Sequence, residues 1–219
     1  MPAPDPRSGP YSAGVAAKAS LPVLRVGCAL AVLLDGVADD PAARTAAATS
    51  ALRLAANRPD IAISRRESGR PRLAAPYREL AVSLSHRGQW LLAAFASDRD
   101  VGTDIEIDIP TLEPLLLARD HFAQTELHAI ASLSDAAARD AFLRLWVAKE
   151  AALKVTGRGI HDGLGEPDLA THLPGLQQDG AGIALAASAR LPALRIAVCR
   201  VTPGSGPVIY CGLAVAAAS

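Results

Sequence analysis

The chain has 219 residues, half of them apolar and about a fifth charged, which fits a folded protein with a sizeable core and excludes a wholly disordered chain. Lysine plus arginine equals aspartate plus glutamate at 22 each, so no overall field points to nucleic acid or to a membrane surface. The three cysteines form no CxxC pair and predict buried thiols in a reducing compartment.

The first part of the chain predicts a tail, a strand and a helix. Residues 1–22 contain five prolines among small residues, which is typical of a flexible tail. The apolar stretch 23–34 predicts one buried strand and is too short to span a bilayer, so we expect a cytoplasmic protein. Asp39, Asp40 and Pro41 then begin a predicted helix over 41–57. A short strand over 61–64 and a loop over 67–76 are expected after it.

A hairpin and a patterned strand follow. Apolar runs over 80–85 and 90–96 flank a polar turn and predict a β-hairpin. Over 101–107 apolar and polar residues alternate with a period of two, which predicts a strand. The second half predicts helices over 111–117, from Thr125 onward and over 135–155, with Gly157 as a C-terminal cap, and strands over 183–187, 194–201 and 208–215.

These elements predict an α+β protein of two units. Each half combines helices with a sheet, and the halves join near Pro110. We therefore expect an N-terminal lobe over 23–109 and a C-terminal lobe over 110–219.

The patterned strand carries three carboxylates on one face: Asp104, Glu106 and Asp108. Carboxylates at i and i+2 lie about 7 Å apart on a strand and repel each other. Because the apolar residues of this strand indicate burial, an arginine, a lysine or a metal ion is expected beside Asp104 and Glu106. Oxygen ligands suit Mg²⁺ better than zinc. A solvated strand face is the alternative, and for Asp108 an exposed position is the preferred expectation.

Two further groups of charged residues are candidates for a site. Glu150 and Lys154 share one face of the long helix, where a surface salt bridge would also explain their spacing. Lys149 falls closer to the apolar stripe, where its stem would snorkel. Several cations and one hydroxyl lie around the first hairpin, where they would form an anion-binding surface or would simply be solvated. These residues are Arg65, Arg66, Arg70, Arg72, Ser85, His86 and Arg87.

Together these segments resemble the 4′-phosphopantetheinyl transferase superfamily, in its two-lobed surfactin-synthetase-activating type. The similarity lies in family order over about residues 40 to 160. Its most specific parts are the strand Val101–Glu106 and the helix Trp146–Lys154. It also includes Arg44-Thr45, Gly69-Arg70-Pro71, Val82–His86, Phe122 and Glu126.

The resemblance implies a fold and a set of roles. The expected fold has two similar α+β lobes related by a pseudo-twofold axis, with coenzyme A bound in the cleft between them. Asp104, Glu106 and Glu150 would hold Mg²⁺, or Mn²⁺, against the pyrophosphate of coenzyme A, which Lys154 would also contact. The nucleotide and its 3′-phosphate would be bound by Arg44, Arg70, Ser85 and His86.

The implied reaction moves phosphopantetheine from coenzyme A to a serine of an apo acyl or peptidyl carrier protein. It releases adenosine 3′,5′-bisphosphate. Asp104, Glu106, Glu150 and Lys154 are the implied catalytic residues. Glu150, directly or through a metal-bound water, is the candidate base. A monomer that binds neither nucleic acid nor membranes is expected.

One departure from the family pattern concerns the nucleotide site. Many relatives carry a basic pair before the first helix, whereas Asp39 and Asp40 stand there in this chain. The nucleotide would then be bound more weakly, or Arg65 and Arg66 would bind it instead. Two alternative functions remain: a carrier-binding relative without catalysis, and an Mg²⁺-dependent hydrolase that cleaves pyrophosphates.

Overall fold

The computed structural model describes residues 20–65, 70–157 and 163–217. Its first apolar stretch forms two antiparallel strands, β1 (Ser20–Val26) and β2 (Ala29–Leu34). The prediction of one strand over 23–34 is wrong, because Gly27 adopts a positive φ of 55° and the chain reverses there. Cys28 in this turn is exposed, which corrects the expectation that all three cysteines are buried. Of the predicted tail, residues 1–19 lie outside the described residues and 20–22 belong to β1.

The first helix begins and ends where the sequence predicts. Helix α1 (Pro41–Ala56) has Asp40 as its N-cap, whose carboxylate accepts a hydrogen bond of 2.7 Å from the backbone N–H of Ala43. Asn57 ends the helix in the left-handed conformation, with φ of 52°. The predicted helix over 41–57 is confirmed.

The first sheet contains the predicted hairpin. Strands β5 (Leu80–Arg87) and β6 (Trp90–Ser97) are its two arms, and the sheet order is β1-β2-β6-β5. Strands β3 (Ile63–Arg65) and β4 (Pro71–Leu73) form a separate two-stranded sheet. The prediction of a loop throughout 67–76 is therefore wrong at β4, which pairs its backbone with β3. Arg66 and Gly69 lie outside the described residues.

The second sheet has the order β7-β10-β9-β8, and each pair of neighbours is antiparallel. Its strands are β7 (Val101–Ile107), β8 (Gly182–Leu185), β9 (Leu194–Val201) and β10 (Ile209–Ala216). Strand β7 lies in this sheet although it precedes residue 110, so sheet membership changes between β6 and β7. The division into lobes at residue 110 stays a prediction.

Helices α2 (Pro114–His121), α3 (Gln124–Ala131) and α4 (Asp135–Thr156) follow β7. Helix α2 starts later than predicted because Pro114, which lacks an N–H, stands at its first turn. Helix α4 ends at Gly157 with φ of 74°, as predicted. A 3₁₀ turn (Ala170–His172) leads into the short helix α5 (Leu173–Leu176). No helix in the described part of the chain is both long and apolar enough to cross a membrane.

The two large sheets pack face to face. Leu33 and Leu92 of the first sheet share a buried cluster with Ile105 and Leu213 of the second. On the outer face of the first sheet α1 packs through Ala48 and Leu52, and α4 covers the outer face of the second. The molecule is thus α+β, as predicted, and a pseudo-twofold relation between lobes stays a prediction.

Two glycines let α4 approach the second sheet closely. A Cβ on Gly102 of β7 would collide with the backbone carbonyl oxygen of Ala151 and lie 2.8 Å from the backbone nitrogen of Val155. A Cβ on Gly212 of β10 would likewise collide with the carbonyl oxygen of Val147. The helix backbone therefore lies directly on the sheet, which brings the last turns of α4 next to β7.

We expect Gly102→Ala to lower the free energy of unfolding by at least about 3 kcal/mol, the upper end of ordinary overpacking, because helix backbone rather than a flexible side chain must move. Urea unfolding followed by circular dichroism measures this loss. Gly165→Ala is the matched control, since a Cβ there meets nothing within 4 Å. Equal stability of both variants would contradict close backbone packing at Gly102.

Candidate active site

Three secondary-structure elements bring polar side chains together beside the second sheet. The Lys154 ammonium on α4 donates to Asp104 Oδ1 on β7 at 2.6 Å and to Ser85 Oγ on β5 at 3.0 Å. The Ser85 hydroxyl donates to the same Asp104 oxygen at 2.8 Å. These residues are separated by as many as 69 positions in the chain. The fold thus joins one member of each of the three charged groups noted in the sequence.

The other oxygen of Asp104 lacks a protein partner. Asp104 is 4% exposed, and its Oδ2 atom accepts no hydrogen bond from any residue that the structure describes. A buried polar atom without a partner is costly and is often explained by a catalytic role or by a bound ion or water. Because Asp104 is buried, the alternative of a solvated strand face is wrong for this residue.

Glu106 lies next along the same face of β7 and is paired with Arg87. The Arg87 Nε atom lies 3.1 Å from Glu106 Oε2. Burial raises the pKa of Glu106, and repulsion from Asp104 adds to this effect. The sequence predicted a positive charge beside these two carboxylates. Among the described residues, Lys154 supplies it at Asp104 and Arg87 supplies it at Glu106.

Glu150 is buried between these groups at 5% exposure. Burial raises its pKa from 4.5 to about 7, and repulsion from Asp104 and Glu106 contributes, whereas Lys154 opposes the shift. Such a carboxyl exchanges its proton near neutral pH, which suits a general base.

Without added metal, we expect Glu150→Gln to raise the free energy of unfolding at about pH 8 by about 1 to 3 kcal/mol. This range is the free energy that corresponds to the pKa shift of Glu150. The folded chain binds the Glu150 proton more tightly than the unfolded chain, because its pKa of about 7 exceeds the ordinary 4.5. Wild-type stability therefore falls as the pH rises from about 4.5 to about 7. Urea unfolding in EDTA should give a difference near zero at about pH 4. An equal difference at both pH values would contradict the assignment.

The residue types fit a hard divalent cation. Asp104, Glu106 and Glu150 offer oxygen ligands only, as Mg²⁺ and Mn²⁺ prefer, and their mutual repulsion places them close together. Over 20–65, 70–157 and 163–217, however, no three His, Cys, Asp or Glu side chains converge closely enough to hold a metal ion. Coordination by all three would require these side chains to move.

The predicted nucleotide-binding residues lie in two places. Arg44 on α1 forms an ion pair with Asp39, and His86 Nε2 lies 3.8 Å from the same carboxylate. His86 is exposed on β5, next to Ser85. Arg70 instead donates to the backbone carbonyl of Val155 at 3.1 Å, at the C-terminal end of α4. Arg70 therefore contacts the backbone of α4 near Lys154 and not the Lys154 side chain.

A buried ion pair behind the site was missed from the sequence. Lys149 and Glu126 are both fully buried, and the Lys149 ammonium contacts both Glu126 oxygens at 2.6 Å. Glu126 also accepts from the backbone N–H groups of Ala123 and Leu169. The expectation that Lys149 snorkels is wrong, because Glu126 neutralises it in the interior. Two features of the sequence could have indicated this pair: Lys149 lies on the apolar stripe of α4, and Glu126 lies in the first turn of α3.

Asp108 does not join the other carboxylates. It is half-buried and binds the Arg139 guanidinium at 2.9 Å, so the expectation of an exposed residue is wrong. Arg139 also donates to the carbonyls of Ile109 and Leu112. This pair fastens the segment after β7 to α4 and lies outside the cluster around Asp104.

Comparison with known proteins finds a family that part of the chain resembles. Residues 100–182 match the family model of the 4′-phosphopantetheinyl transferase superfamily. The matched segment includes Asp104, Glu106, Glu150 and Lys154, and the Glu126–Lys149 pair, whereas Arg44, Arg70, Ser85 and His86 precede it.

Individual relatives in this superfamily match over similar lengths. The 4′-phosphopantetheinyl transferase HetI of Nostoc sp. is 37% identical over 94 residues, which cover 42% of this chain and 40% of HetI. For the transferase Sfp of Bacillus subtilis the identity is 32% over 101 residues, or 46% of this chain and 43% of Sfp. The transferase of Bacillus pumilus is 38% identical over 82 residues, 37% of this chain and 34% of the relative. The chain thus matches less than half the length of these relatives.

Proposed function

We propose that this protein is a 4′-phosphopantetheinyl transferase that uses coenzyme A and an apo carrier protein. The observation that carries the proposal is the Ser85–Asp104–Lys154 contact, with the partnerless Asp104 oxygen and Glu150 beside it. A buried carboxylate set that faces a lysine suits a cation bound to a pyrophosphate. The superfamily match over 100–182 supports the same activity.

In the proposed reaction the carrier serine oxygen attacks the phosphorus that carries pantetheine. A new P–O bond forms to the serine, and the bond to the leaving adenosine 3′,5′-bisphosphate breaks. Glu150 is the proposed base for the serine proton. Lys154 balances the charge that develops on the leaving phosphate.

Asp104, Glu106 and Glu150 would hold Mg²⁺, or Mn²⁺, in this enzyme. The bound cation would supply charge stabilisation and orientation of the phosphate oxygens. Arg44, Arg70, Ser85 and His86 remain the residues proposed to bind the nucleotide.

An apolar surface next to Glu106 supports a protein acceptor. A pocket of about 90 Å³ beside Glu106 and Arg87 is lined mainly by apolar side chains, among them Leu112 and Trp146. Ile109, which also lines this pocket, is 42% exposed, and Leu115, which lines a second pocket together with Leu112, is 46% exposed. We propose that the carrier domain covers these residues when its serine reaches the carboxylates. The protein would act as a cytoplasmic monomer.

The test is the intact mass of apo carrier proteins after incubation with the enzyme, coenzyme A and Mg²⁺. A carrier should gain one phosphopantetheine, lose this gain in EDTA and recover it when excess Mg²⁺ or Mn²⁺ is restored. A carrier whose acceptor serine is replaced by alanine is the matched control.

The same assay separates the alternatives. Free phosphopantetheine released without a carrier would favour a pyrophosphate-cleaving hydrolase. Binding of coenzyme A without transfer to fatty-acid, polyketide or non-ribosomal peptide carriers would favour a non-catalytic carrier-binding relative.

A further inference from the structure

An acidic side chain lies within the cations at the nucleotide end of the site. Asp39 Oδ1 accepts a hydrogen bond from Arg44 Nη1 and lies 3.8 Å from His86 Nε2. The Asp39 side chain is 76% exposed, whereas that of Arg44 is only 15% exposed. An exposed carboxylate therefore faces a largely buried guanidinium.

The surroundings of His86 confirm that cations converge here. Burial lowers the pKa of His86, and the positive charges of Arg44, Lys154 and Arg87 lower it further, whereas Asp39 opposes them. Lys154 and Arg87 already contact Asp104 and Glu106, the carboxylates of the candidate active site. In the described part of the chain, Asp39 is the carboxylate that pairs with Arg44 and lies 3.8 Å from the His86 imidazole.

Coenzyme A carries two separate anionic groups, and this inference rests on the proposed function. Its pyrophosphate is the reacting group and belongs beside Lys154 and Asp104. Its 3′-phosphate is a monoester dianion on the neighbouring ribose and needs a second set of donors. Arg44 and His86 supply such a pair near the first, since the charges of both Arg44 and Lys154 act on His86. Arg binds phosphate oxygens through two parallel hydrogen bonds, more strongly than it binds one carboxylate oxygen.

We propose that Asp39 is a specificity-determining residue whose carboxylate competes with the 3′-phosphate of coenzyme A for Arg44 and His86. The phosphate must displace Asp39 and then bind beside its negative charge. The protein consequently gains little from the 3′-phosphate and accepts 3′-dephospho-coenzyme A nearly as well as coenzyme A. Asp40 does not take part, because its carboxylate caps α1.

Equilibrium binding of the two nucleotides by calorimetry tests this proposal in the full-length chain. Asp39→Asn should tighten coenzyme A at least threefold and leave 3′-dephospho-coenzyme A within a factor of about 1.5, the scale of an exposed ion pair. The gain should shrink between about 50 mM and 500 mM salt, because exposed charges are screened. Asp60→Asn is the matched control, since Asp60 is an exposed carboxylate that contacts Tyr77 instead.

A second variant keeps the test decisive. His86→Gln in the Asp39→Asn background should remove most of the gain for coenzyme A, because one of the two donors is lost. Equal tightening of both nucleotides, or none, would overturn the role of Asp39 and leave the proposed transferase intact. A wild-type protein that binds neither nucleotide, with or without Mg²⁺, would contradict both.

Discussion

Asp104→Asn is expected to reduce kcat/KM for transfer to a carrier protein by about 100- to 1000-fold, the usual effect of removing one electrostatic group from a reaction centre. Asparagine has nearly the same shape and can still accept from Ser85. It lacks the negative charge that pairs with Lys154 and that would bind a cation through the partnerless oxygen.

This loss should occur without loss of folding. Burial raises the pKa values of Glu106 and Glu150, and repulsion from Asp104 raises them further. Removing its charge relieves that repulsion, while Lys154 stays partly exposed to solvent at 28%. The midpoint of thermal unfolding should therefore be unchanged or higher.

The measurement is the initial rate of carrier modification, together with Tm in EDTA. Asp108→Asn is the matched control, because Asp108 directly follows the same strand and pairs with Arg139 instead. Its transfer rate should stay within about threefold of wild type, as expected for a residue outside the reaction centre. If Asp104→Asn and Asp108→Asn reduce the rate equally, the assignment of the centre to Asp104 is wrong.

Lys149→Met is expected to lower the free energy of unfolding by about 3 to 5 kcal/mol, the cost of leaving one partner of a buried ion pair alone. Glu126 is 0% exposed and would lose its cationic partner in the interior. Methionine fills a similar volume, so loss of packing contributes little. Since Glu126 also binds the backbone of Ala123 and Leu169, the strain would spread to the start of α3 and to the segment before α5.

A double variant distinguishes this charge effect from lost packing. In Lys149→Met with Glu126→Gln, the uncharged amide oxygen can still accept from a backbone N–H. The double variant should be more stable to unfolding than Lys149→Met alone by at least about 1 kcal/mol, a coupling energy typical of contacting residues. Urea unfolding of the wild type, both single variants and the double variant gives the coupling directly. Additive losses would show that Lys149 contributes through packing instead.

The local sequence was sufficient for most elements and for the candidate residues. Helix α1 follows from Asp40, Pro41 and an alanine-rich run, since capping and helix propensity act within a few residues. The period-two pattern of β7 correctly predicted that Asp104 and Glu106 share a face. The first strand pair was missed because an apolar run does not reveal a reversal at Gly27.

Only the tertiary structure decided which charges meet. Ser85, Asp104 and Lys154 come from three elements, and their contact depends on α4 lying directly on β7 at Gly102. The burial of Lys149 could not be read from its own helix, because its partner Glu126 lies 23 positions away. Charge pairing depends on distance in space, whereas local patterns report only neighbours along the chain. The sequence by itself therefore determined the α+β elements and the residue types of the site, and the packing of α4 on the second sheet decided how they pair.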